Sequence, residues 1–176
     1  MGTHIDCIIP KEREYTTHEV IYKLESVFNR LKAEFRHLEK YSAFSEYVDG
    51  KWWVKLIPEE ENTPEYITGE GASFSIDIYK NVIVIGCIER FSNLYDLESK
   101  IFKQLVKIII EFSNEFRVSD KIIIGAGGNG ETDQVLDIAH YENADFDQIC
   151  KLMTKLNGLP AADFNELSNK SWYLKN

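Results

Sequence analysis

The residues whose types and spacing could support chemistry begin with the cluster Gly125, Ala126, Gly127, Gly128, Asn129 and Gly130, which follows the apolar run Ile122, Ile123, Ile124. It matches the pattern G-x-G-x-x-G, in which glycines allow a tight turn and let backbone amides approach a pyrophosphate at a helix N-terminus. The next residues, Glu131, Thr132 and Asp133, would bring negative charge toward phosphates. No Lys-Ser or Lys-Thr closes the cluster, so it is not a Walker loop either. The reading favoured here is a hairpin or bulged turn that uses glycine for positive φ, with residues 134–140 as the returning strand. A ligand-contacting loop that draws on Asp133, Asp137 and His140 is the alternative.

Asn129, Glu131, Asp133, Asp137 and His140 place oxygen-bearing residues close together, yet Gln134 stands where a calcium loop turns on Gly and His140 where it needs a bidentate Glu. No His-x-x-x-His or Glu-x-x-His pair supports a transition metal. Neither a metal nor a cofactor is expected, and a solvated acidic strand face accounts for these residues. The four histidines, His4, His18, His37 and His140, form no local group. A thiolate could still be activated if Cys7 met His140, or Cys87 any histidine, in space. With no nucleophile-elbow glycines around any Ser or Cys, no catalytic residue is assigned.

The net charge of -9 is concentrated in two stretches without Lys or Arg. Residues 56–79 hold Glu59, Glu60, Glu61, Glu65, Glu70 and Asp77, and residues 122–150 hold Glu131, Asp133, Asp137, Glu142, Asp145 and Asp147. Such a surface attracts a cationic partner and repels nucleic acid and anionic membranes. Trp52 and Trp53 are adjacent in a strand-like run, so one indole should enter the core and the other face outward, where an aromatic anchor beside acidic residues suits an interface. The expected partner-binding set is therefore Trp52, Trp53, Glu59, Glu60, Glu61, Glu65, Asp133 and Asp137. The ligand-loop alternative would use Gly125, Gly127, Gly128, Gly130 and His140.

The elements that must position these residues are legible in the pattern of apolar residues. Residues 3–9 read as a strand closed by Pro10. Thr16 and Glu19 can form a capping box that starts an amphipathic helix, with Val20, Leu24, Val27, Phe28, Leu31, Phe35 and Leu38 along one face. Asp49-Gly50 suggests a hairpin between residues 44–48 and 51–57, and a second hairpin joins residues 73–78 to 82–88 through Lys80 and Asn81. The apolar run 82–88 should be a central, doubly covered strand. Ser92 or Asn93 caps a helix carrying Leu97, Ile101, Leu105, Ile108, Phe112 and Phe116, and Asp145 caps another that ends at Gly158. Trp172 and Tyr173 should dock the tail on the body.

These elements make one globular α+β domain spanning residues 1–176, with a mostly antiparallel sheet and two to three helices packed on one face. The apolar runs are too short to span a bilayer. The widely spaced Cys7, Cys87 and Cys150 are expected to be buried and reduced, which fits a cytoplasmic setting.

In size, acidity and compact α+β organisation the chain resembles the immunity proteins that bacteria make against their own basic nucleases and other toxins. The resemblance covers overall character and no defined motif. It implies a non-enzymatic inhibitor that meets a basic partner, such as a cognate toxin, with carboxylates and gains association rate by electrostatic steering. The alternative is a small-molecule enzyme built around the glycine loop with Asp133, Asp137 and His140.

Overall fold

The computed structural model describes residues 2–31, 37–42, 51–57, 72–90, 100–126, 131–164, 167 and 172–176. Strand β1 (Gly2–Pro10) leads to helix α1 (Thr17–Leu31), followed by β2 (His37–Ser42), β3 (Lys51–Ile57), β4 (Ala72–Ile78) and β5 (Val82–Arg90). Helix α2 (Lys100–Phe116), strand β6 (Ile122–Ala126), helices α3 (Glu131–Tyr141) and α4 (Phe146–Asn157), and strand β7 (Trp172–Lys175) complete the order. The strands form one antiparallel sheet in the order β2-β3-β4-β5-β1-β6-β7, which makes this an α+β protein.

Period-two alternation sorts the strand residues onto two faces. Ile5, Cys7 and Ile9 of β1 lie with Phe74, Ile76, Ile83 and Ile85 against Leu24, Val27 and Phe28 of α1 and Leu105, Ile108 and Phe112 of α2. Ile8, Val82, Val84 and Ile123 face the other way and meet Val135 and Ala139 of α3 with Phe146, Ile149 and Met153 of α4. Strand β5, fourth of seven, is buried on both sides from Val82 to Cys87, as its unbroken apolar run predicts. Thr16 and Glu19 form the expected capping box, Thr16 N donating to Glu19 Oε2 at 2.8 Å and Glu19 N to Thr16 Oγ1 at 3.2 Å. Asp145 caps α4 in a reciprocal box with Gln148, and Gly158 takes a φ of 77° at its end.

Three sequence expectations are corrected. Helix α1 ends at Leu31, and residues 37–42, read as its continuation through Leu38, are a strand paired with β3 from His37↔Ile57 to Ser42↔Trp52. Pairing with a neighbouring strand outweighs a helical spacing carried there by two apolar residues, Phe35 and Leu38. Residues 134–140, read as a strand, belong to α3, where Val135 and Ala139 stand four apart and enter the core on one helical face. The partner of β6 is instead the tail, which docks as edge strand β7 with Trp172 opposite Gly125 and Trp172 Nε1 donating to Gly158 O at 2.9 Å. The Asp49-Gly50 turn, residues 44–48 and the cap at Ser92 or Asn93 lie outside the described residues.

Candidate functional site

Beyond the apolar patch under α3 and α4, the same sheet face turns polar. Alternation places Asp6 and His4 of β1 on the side of Ile8, Ser75 and Asp77 of β4 opposite to Ile76, and Lys51 and Trp53 of β3 opposite to Trp52. One register row crosses five strands of the sheet as Trp53, Ser75, Gly86, Asp6, Gly125 and then Trp172 on a sixth.

Asp6 thus sits between two glycines, and both absences of a side chain matter. A Cβ at Gly86 would lie 2.8 Å from Asp6 Oδ1 and 3.3 Å from Ser75 Oγ, so the carboxylate overhangs Gly86 toward β4. A Cβ at Gly125 would lie 2.9 Å from Thr132 Cγ2, so that glycine lets the first turn of α3 settle on the sheet.

The settled turn brings α3 against β1. His4 Nε2 is 2.8 Å from Thr132 Oγ1, 3.2 Å from Asp6 Oδ2 and 3.4 Å from Asp133 Oδ1. All three oxygens crowd one ring nitrogen, and the hydrogen bond at that nitrogen is with Thr132 Oγ1, its direction set by the tautomer of the ring. Asp6 Oδ2, buried within a residue only 4% exposed, is therefore left without a hydrogen bond despite its nearness to the ring. This is not the arrangement of a nucleophile relay, which needs the hydroxyl and the carboxylate on opposite ring nitrogens.

Burial, followed by the field of Asp133 and Asp77, pushes the Asp6 carboxyl up to about 6, against the opposing pull of His4 and Thr132. Burial also raises Asp77, while Lys51, whose Nζ is 3.3 Å from Asp77 Oδ1, opposes the rise. The Lys51 ammonium stands 5.2 Å over the centroid of Trp53. Farther along α3, the His140 ring stacks between Tyr79 at 5.4 Å and Tyr141 at 4.3 Å. Burial raises the Tyr79 phenol, and Asp77, Asp6 and Asp137 add to the rise. The sheet face between α3 and β4 thus carries the buried carboxylates Asp6 and Asp77 beside the stacked rings of Tyr79 and His140.

The expected site residues fall into three groups. Asp133 and Asp137 are exposed on α3 and His140 is half-buried on the same helix, where sequence reading had a strand. Trp52 is core at 2% exposure and cannot anchor a partner, whereas Trp53 is the outward indole. Gly125 lies in β6, but Gly127, Gly128, Gly130, Glu59, Glu60, Glu61 and Glu65 lie outside the described residues. Asp6, His4 and Asp77 were missed. The available signal was a carboxylate inside the apolar run Ile5-Asp6-Cys7-Ile8-Ile9.

The Cys7 and His140 pairing does not form, because Cys7 faces α1 and α2 while His140 lies on the opposite side of the sheet. Burial pushes the Cys7 thiol up to about 12, which suits packing and not nucleophilic attack. Among the described residues no group of three or more His, Cys, Asp or Glu is placed to hold a metal ion. Nor is any described helix long and apolar enough to cross a membrane. No family model, curated protein or solved structure matches the chain.

Proposed function

We propose that this chain is a non-enzymatic binding protein for a basic protein partner, acting as an immunity-type inhibitor of a cognate toxin in the cytoplasm of a bacterium. The observation that carries the reading is a solvent-exposed stripe of α3 whose first residue borders β1. Asp133, Asp137 and Tyr141 stand four residues apart on it, the Asp133 side chain 67% exposed and Tyr141 74% exposed. Exposed Glu142, Asp145 and Asp147 extend the negative surface, and no Lys or Arg interrupts residues 122–150. Carboxylates set around a tyrosine combine long-range attraction with a large, rigid contact group. Three unbridged cysteines support the reducing compartment that goes with this reading.

The test is affinity capture from the producing cell with the wild-type chain and with Asp133→Lys/Asp137→Lys as parallel baits. The expected result is a protein of high isoelectric point enriched by the wild type and lost with the double reversal. Capture of no basic protein, or equal capture by both baits, would overturn the reading.

A further inference from the structure

Two carboxylates from two elements meet at one ring nitrogen, where the first turn of α3 rests on the sheet. Asp6 Oδ2 of β1 stands 3.2 Å from His4 Nε2, and Asp133 Oδ1 of α3 stands 3.4 Å from it. The hydrogen bond at that nitrogen is with Thr132 Oγ1, and the buried Asp6 Oδ2 has none. The groups that face Asp6 from its neighbours give it little relief. Strands β5 and β6 set Gly86 and Gly125 beside it, and β5 sets Ile88 beside His4. Helix α3 contributes Asp133 and the Thr132 hydroxyl, and β4 contributes Asp77, itself paired with Lys51 of β3 at 3.3 Å. Tyr79, next after β4, lies in the Asp6 field, and α4 approaches through the apolar Ile149 and Met153. An ionised oxygen buried without a donor and close to a second carboxylate is costly, and one proton on Asp6 removes both costs.

We propose that Asp6, His4 and Asp133 form an acid-closed clasp between β1 and α3: with a proton on Asp6 the first turn of α3 is held down on the sheet, and on loss of that proton the turn lifts. Protonation turns Asp6 into a group that donates as well as accepts, and it leaves Asp133 as the one carboxylate charge at the His4 ring. Once Asp6 ionises, the two charges repel across the seam between the elements. Strand β1 is fixed by ladders on both sides, to β5 and to β6, so the helix is the part that yields. Burial, opposed by His4 and reinforced by Asp133, pushes the Asp6 carboxyl up to about 6. A carboxyl raised in the seated state binds its proton more tightly there, so the seat is firm in acid and weakens between about pH 4 and 6. That the clasp governs how Asp133, Asp137 and Tyr141 are presented to a partner rests on the reading of α3 as the binding helix. The clasp itself does not.

The test is amide hydrogen exchange of the full chain, followed by NMR at about pH 4.5 and about pH 7.5 and corrected for the intrinsic exchange rate. Helix α3 has 11 residues, too few to persist off the sheet, so lifting exposes its amides. Protection of the Val135 and Leu136 amides should fall about tenfold from the acid to the neutral condition, the effect of returning Asp6 about one pH unit toward its ordinary value. It should also lie below that of the Val84 and Ile85 amides of β5 at both pH values, which marks opening of α3 alone. Asp6→Asn should hold the acid level of protection at both pH values. Asp133→Asn should shrink the fall, and Asp137→Asn, one turn farther from His4, should leave it unchanged. Protection of α3 that is the same at both pH values, that equals the protection of β5, or that falls as far in Asp6→Asn would overturn the proposal, as would equal effects of Asp133→Asn and Asp137→Asn. The measurement uses no partner, so its failure is distinguishable from failure of the basic-protein reading.

Discussion

Replacing Asp6 by Asn should make the protein more stable at neutral pH, and the gain should disappear in acid. The Asp6 carboxyl ionises at about 6 in the folded chain against an ordinary 3.8, chiefly because burial disfavours the charged form. A raised carboxylate pKa means that the folded state holds the proton more tightly than the unfolded state. Well below about pH 4 both states are protonated and the group contributes no penalty. Between about pH 4 and 6 the unfolded chain ionises while the folded chain keeps its proton, so the cost grows there and levels off above 6 at about 3 kcal/mol, since each pH unit of displacement corresponds to about 1.4 kcal/mol. Asn retains the shape and an acceptor oxygen without the ionisation. Urea unfolding of both proteins between about pH 4 and pH 8 measures the difference. The two stabilities should converge at the acid end and separate by up to about 3 kcal/mol at the neutral end. Parallel profiles, or an Asn variant that is equally less stable at every pH, would refute the assignment of Asp6 as an under-compensated buried acid.

Two further outcomes follow from the packing. Ile85→Ala in β5 and Leu105→Ala in α2 should each cost about 2 to 5 kcal/mol in the same urea assay, because both side chains are fully buried between the sheet and the first helix pair. Gly125→Ala should cost about 1 to 3 kcal/mol, since its Cβ would stand 2.9 Å from Thr132 Cγ2, and it should alter the His4 ring signals in NMR as α3 is pushed off β1.

The parts of the fold that were legible in the sequence are those whose signal is local and repeated. The Thr16 and Glu19 box, the apolar stripe of α2 and the hairpin from Phe74 to Cys87 each state their own geometry within a few residues. Residues 134–140 did not, because Val-Leu-Asp-Ile-Ala is short enough to satisfy either period, and the docking of Val135 and Ala139 against Met153 and Ile149 decides for helix. Strand β2 was hidden because its evidence is its partner, β3. The site was the least legible part. Asp133 and Asp137 stand out by composition, but the burial of Asp6 depends on Gly86, Asp6 and Gly125 lying side by side, and that register joins strands distant in sequence. Only the isolated carboxylate of Asp6 within an apolar strand pointed there.

The central claim is that an acidic face built on α3 steers and holds a basic protein. The most direct test is the association rate constant with the captured partner at low and at physiological salt, for wild type and for Asp133→Lys/Asp137→Lys. The wild-type rate should fall steeply as salt screens the field, and the double reversal should slow association about tenfold or more at low salt while circular dichroism shows an unchanged fold. A rate that is indifferent to salt and to both reversals would contradict the account.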